Sequence, residues 1–130
     1  MSANPAFASV PKAKAISVST ANTNRDGSGT LVDSISAAAA GTLLQRVVLQ
    51  ATGDPADSIV TMFLHDGTTS WEFDEFDLGN PAAASATVPG FHTERVYDIV
   101  IPTGWKVQFA ITAALTAGVV NVLVFAGDLT

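Results

Sequence analysis

The segment Trp105-Lys-Val-Gln-Phe-Ala-Ile-Thr112 alternates strictly: Trp105, Val107, Phe109 and Ile111 fall on one side of an extended chain, Lys106, Gln108, Ala110 and Thr112 on the other. A period of two marks a β-strand with one buried face. Similar segments recur along the chain, separated by residues that tolerate turn geometry: Asn24 to Gly29, Gly53-Asp-Pro55, Asp66-Gly67, Gly79-Asn-Pro81, Pro89-Gly90, Pro102-Thr-Gly104 and Ala117-Gly118. Reading between these turns predicts eight strands, at 15–22, 29–36, 42–52, 58–65, 69–78, 91–101, 105–113 and 118–126. The alanine runs Ala37 to Ala40 and Ala82 to Ala86 read as loops, because isolated helices shorter than about 12 residues are marginal. Short antiparallel strands at this spacing predict an all-β fold, an antiparallel β-sandwich of the jelly-roll type. An immunoglobulin-like sandwich is the alternative, although the chain has no cysteine for the disulfide of antibody domains. Residues 1–13, rich in Ala, Pro and Ser without alternation, are expected to form an extended N-terminal arm, and residues 14–130 the sandwich domain.

A lone sandwich of this composition is short of charge. Only 14% of the residues are charged and 48% are hydrophobic, against about 25% charged in an average soluble domain. The longest uncharged apolar stretches, such as Val119 to Gly127, fall below the roughly 18 residues that span a bilayer, so no membrane partner is expected. The first residues, Met1 to Pro11, lack both a basic region and a continuous apolar run, so no secretory leader is expected either. Two strands carry part of the apolar excess. In Val119 to Ala126 one face offers Val120, Val122, Val124 and Ala126, and the other Val119, Leu123 and Phe125 around Asn121; Ile59 to Leu64 sets Val60, Met62 and Leu64 against Ile59 and Phe63. A two-layer sandwich gives each strand one core face. The second faces, Ile59, Phe63, Val119, Leu123 and Phe125, are therefore expected to form a subunit interface in a homo-oligomer, or else to lie under loops or the arm.

Residues with chemical capability do not converge. With no cysteine there is no disulfide, thiolate metal site or cysteine nucleophile. The formal charge is -6, and the basic residues Lys12, Lys14, Arg25, Arg46, Arg95 and Lys106 stand singly, unlike the basic patch that nucleic acid requires. The acidic run Trp71-Glu-Phe-Asp-Glu-Phe-Asp77 places Glu72 and Asp74 on one face of a strand, without the ligand spacing of a calcium loop. It reads as solvated charge guarding a sheet edge, with a bound cation as the alternative. His65 and His92 have no second histidine at ligand spacing, and His65 before Asp66-Gly67 reads as a turn cap. Gly27-Ser-Gly29 lacks the frame of a nucleophile elbow or a phosphate loop. No catalytic, cofactor or metal residue is assigned, and no enzymatic activity is expected. An aromatic sugar platform is a further alternative; Trp105 belongs with the core pattern, leaving Trp71 and Tyr97 as its members.

Several phrases together resemble small β-rich virion proteins of tailed bacteriophages: Ala21-Asn-Thr-Asn-Arg-Asp-Gly-Ser-Gly-Thr-Leu-Val32, Arg46-Val-Val-Leu-Gln-Ala-Thr-Gly53, Phe63-Leu-His-Asp-Gly67, Pro102-Thr-Gly-Trp105 and Ala126-Gly-Asp128. Some proteins of this kind decorate capsids. The resemblance implies a structural subunit on the capsid exterior, made in the host bacterial cytoplasm, with two partners: further copies of itself, expected as a trimer, and the major capsid protein. The arm, through Pro5, Phe7, Val10 and Pro11, would anchor such a subunit to the shell. A tail or head-fibre component contacting the host surface is the alternative place in the particle.

Overall fold

The computed structural model describes residues 8–54, 57–115 and 117–130. Eight strands are present: β1 (Ala8–Val18), β2 (Val32–Ser36), β3 (Thr42–Ala51), β4 (Ser58–His65), β5 (Ser70–Gly79), β6 (His92–Ile101), β7 (Lys106–Ile111) and β8 (Val120–Leu129). They form two four-stranded sheets, β1-β8-β3-β6 and β2-β7-β4-β5, with every strand pair antiparallel. The pairs β1–β8, β2–β7, β3–β6 and β4–β5 are nested, as they would be in one long hairpin rolled into two facing layers. This is the connectivity expected of a jelly roll.

Alternation builds the core as the sequence dictates. Val120, Val122, Val124 and Ala126 of β8 are buried together with Leu44, Val47 and Leu49 of β3, facing Val60 and Met62 of β4 and Val107, Phe109 and Ile111 of β7. The two edges of the sandwich are closed by polar side chains. At the β1–β2 edge, Lys12 donates to the Ser36 carbonyl at 2.6 Å and pairs with Asp128 at 2.7 Å, and Lys14 donates to the Ser34 carbonyl at 3.3 Å. At the β5–β6 edge, Asp74 takes Arg95 at 2.6 Å and the Tyr97 hydroxyl at 2.6 Å, while the Arg95 guanidinium lies 4.4 Å over the Phe76 ring. Lysine stems pack on apolar surface while their ammonium groups reach polar partners at the rim.

The strand β1 begins at Ala8, within the segment expected as an extended N-terminal arm, and Val10, Pro11, Lys12 and Ala13 pair with Asp128, Gly127, Ala126 and Phe125. Val10 and Pro11 are thus part of the sandwich ladder. Pro5 and Phe7 lie outside the described residues.

The outer faces of the two sheets differ. Residues 19–31, between β1 and β2, run across the outside of the second sheet. Asn22 donates its backbone N–H to the Ile111 carbonyl at 2.8 Å, Gly27 (φ 87°) sits against Ser70, and Arg25 pairs with Glu72 and Glu75 of β5. A side chain at Gly27 would overlap Ser70, so the close approach requires glycine. Asn22 folds this segment by donating to the Ser28 and Thr30 carbonyls, each at 2.9 Å. Beneath it Thr61, Phe63, Ser70, Gln108 and Ala110 are all buried. Their polar groups find partners within that layer: the Ser70 hydroxyl donates to Gln108 at 2.5 Å, and the Gln108 amide to Asp33 at 2.8 Å.

Candidate functional site

The first sheet has no such cover among the described residues. Its outward positions include Leu123 and Phe125 of β8, Leu43, Arg46 and Val48 of β3, and Val96 and Val100 of β6, brought side by side by the register. Val96 is 66% exposed, Val100 54% and Phe125 40%, while Leu43, Val48, Val119 and Leu123 are half-buried. Beyond β8, Ala13, Ala15 and Ser17 of β1 lower the surface on one flank. Exposed large apolar groups gathered in one place mark protein contact surfaces.

Two irregularities shape this face. Against β8, strand β3 has one extra residue, Gln45, since Leu44 pairs with Ala126 and Arg46 with Phe125. Against β3, strand β6 has its own excess, since Leu44 pairs with Ile99 and Arg46 with Val96. Bulges bend strands and re-aim side chains. Here they stand at one level of the sheet and open a groove of about 630 Å³, lined by Leu43, Gln45, Arg46, Val96, Tyr97, Asp98 and Phe125. A smaller hollow of about 290 Å³, lined by Pro11, Ala13, Gln45 and Phe125 among others, lies on the other side of the Phe125 ring. The charges on the groove are few. Arg46 approaches Glu94 at 3.6 Å, both side chains about half exposed, and Asp98 is exposed at the groove wall.

Of the residues expected at a subunit interface, Val119, Leu123 and Phe125 come together on this face. Phe63 does not: it is fully buried under residues 19–31 of its own chain and has no surface to offer a partner. Ile59, half-buried on the second sheet, stands apart from the β8 residues. Sequence reasoning missed Val96 and Val100, although the alternation Val96, Asp98, Val100 along β6 carried the signal.

The acidic run is divided by a third bulge. Phe73 is the extra residue of β5 opposite Met62 and Phe63, so Glu72 and Asp74 do not share a face. Glu72 turns outward to Arg25, and Asp74 turns inward to Arg95 and Tyr97. Burial, and then the Asp74 carboxylate, push the Tyr97 phenol well above its ordinary range. Tyr97 is half-buried against the core and 5.8 Å from the Phe73 ring, so it is not an open platform for a sugar. Trp71 remains 59% exposed, its indole N–H held by Asp66 at 3.1 Å. The backbone N–H of Thr69, the Trp71 indole and the N–H of Thr68 hold the Asp66 carboxyl down at about 2. His65 caps the same turn, its Nδ1 accepting the Gly67 N–H at 3.0 Å.

Among the described residues, no group of three or more His, Cys, Asp or Glu is placed to hold a metal ion. Five of the basic side chains pair with carboxylates, and Lys14 bonds the Ser34 carbonyl.

No known protein family and no curated protein matches the chain. A chain in the solved structure of infectious bursal disease virus, Gx strain, is similar to it at 16% identity and a TM-score of 0.36. The match covers 93% of this chain and 31% of the viral one, so this chain spans less than a third of that protein's length.

Proposed function

We propose that the chain is a structural subunit of a tailed-phage particle, a decoration protein that binds the major capsid protein on the outside of the shell as a homo-oligomer and stabilises it. The observation that carries this reading is the contrast between the two outer faces. One sheet is covered by residues of its own chain, and the other presents Val96, Val100 and Phe125 to solvent around a groove. An apolar sheet face left open on a compact sandwich is suited to burial against protein. The phrases that resemble phage virion proteins support the same reading. This reading calls for no catalysis, cofactor, metal, nucleic acid or membrane. The N-terminal segment, through Pro5, Phe7, Val10 and Pro11, supplies the proposed anchor to the shell.

Quantitative mass spectrometry of purified particles tests the proposal. A decoration subunit is expected in copies on the scale of the major capsid protein. A handful of copies per particle would move it to a tail or head fibre, and absence from particles would overturn the virion reading.

A further inference from the structure

We infer that the open face of the first sheet is covered by the same face of a second copy, in a two-fold dimer that places Arg46 of each copy against Asp98 of the other. This deepens the proposed homo-oligomer by naming its surface, and replaces the trimer expected from sequence with a pair.

Charge argues for a copy of the chain as the occupant. The groove is lined by one cation, Arg46, and one anion, Asp98, and Glu94 lies 3.6 Å from Arg46. Glu94 has Arg46 beside it, whereas no ion pair with Asp98 occurs among the described residues. Burying a carboxylate without a partner is costly, so whatever covers this groove must bring a cation to Asp98. A second copy brings Arg46. In a two-fold contact one patch meets itself, and any complementary pair is made twice. A guanidinium offers five N–H donors on a planar fork, so Arg46 can keep its own Glu94 on one edge and take the second copy's Asp98 on the other.

Relief argues the same way. The bulges at Gln45 and at Tyr97–Asp98 sink the groove beside two of the most prominent apolar groups on the face, Val96 and Phe125. Facing sheets pack about 10 Å apart with side chains interdigitated. A face that carries both the hollow and the knobs can interlock with its own copy.

The test is charge reversal on the full-length chain. By light scattering at micromolar concentration, wild type is expected at twice the 13.4 kDa chain mass. Asp98→Arg sets two arginines against each other and Arg46→Asp sets two aspartates, so each variant alone is expected to associate about tenfold or more weakly. Mixing the two variants restores association, because the wild-type contact and its mirror, the introduced arginine against the introduced aspartate, both form. Both positions are exposed, and an unchanged β circular-dichroism spectrum confirms that each variant is folded. A monomeric or trimeric wild type overturns the dimer, as does a wild-type dimer that survives both reversals or variants that fail to rescue one another. The outcome is separable from the virion reading. A monomer still abundant in particles leaves that reading standing, and a dimer absent from particles leaves this one.

Discussion

The Asp74 carboxylate joins the two sheets at the β5–β6 edge, and its removal gives the sharpest stability test. Asp74→Ala deletes the acceptor of the Tyr97 hydroxyl, a 2.6 Å bond from a half-buried phenol, and the 2.6 Å ion pair with Arg95. A hydrogen bond to a charged partner contributes about 1.5–3 kcal/mol. The ion pair is worth less, about 0.5 kcal/mol, because its side chains are 43% and 26% exposed and solvent screens them. The expected loss is about 2–3 kcal/mol, or a Tm lower by about 6–15 °C for a domain of this size. Urea unfolding followed by circular dichroism, at one fixed protein concentration because self-association adds to apparent stability, measures it. Tyr97→Phe breaks the same hydrogen bond, so the double variant should cost about 1–2 kcal/mol less than the sum of the singles. Alkaline pH provides a check of sign. The folded phenol is held above its ordinary 10.0, so the unfolded chain loses this proton first. The contribution is complete below pH 10.0, falls as pH rises beyond it, and should vanish in Tyr97→Phe. A loss under about 0.5 kcal/mol for Asp74→Ala, or singles that simply add, would refute the idea that this carboxylate ties the sheets.

Phe63→Ala should destabilise by about 3–5 kcal/mol, as for any fully buried phenylalanine, whereas Val96→Ala should change monomer stability by less than about 0.5 kcal/mol; equal effects in denaturant titrations would mean that residues 19–31 do not cover the second sheet. Acidification should change Trp71 emission with a midpoint at about 2, where Asp66 takes up a proton and releases the indole. The turn's stabilisation by this carboxylate is complete above the ordinary 3.8 and lost as pH falls through that midpoint. A midpoint near 3.8, or an unchanged transition in Asp66→Asn, would remove the assignment.

The strands whose inward positions are aliphatic were legible from alternation: β4 occupies Ser58–His65 as expected, and β3 begins at Thr42. The ladder β1–β8 was underestimated at the end where Ala8 meets Leu129, for one physical reason. The inward positions there are Lys12 and Lys14 on β1 and Asp128 on β8, so the period of two is written in charged residues that leave the core at its rim. A hydropathy pattern does not register Lys12 pairing with Asp128 across strands. Bulges are equally silent. Nothing in Trp71 to Asp77 announces that Phe73 is the unpaired residue, yet that single offset separates Glu72 from Asp74 and decides that one binds Arg25 and the other Arg95. The candidate face was half visible, through Val119, Leu123 and Phe125. Its other half, on β3 and β6, depended on a long-range register that one strand cannot report, as did the burial of Phe63.

The nested pairing also dictates an order of events during synthesis. The strand β8 lies between β1 and β3, yet it is made after every other strand. Until it arrives, β1 has no neighbour in its sheet and β3 has β6 alone. The inner residues Leu44, Val47 and Leu49 then face an unfinished layer. Such non-local closure is slow and exposes strand edges while it waits. On this account the last strand acts as a wedge that sets when the fold becomes cooperative. A nascent chain stalled before Val120 should be protease-sensitive throughout the first sheet, while β4, β5 and β7 already have one another as partners.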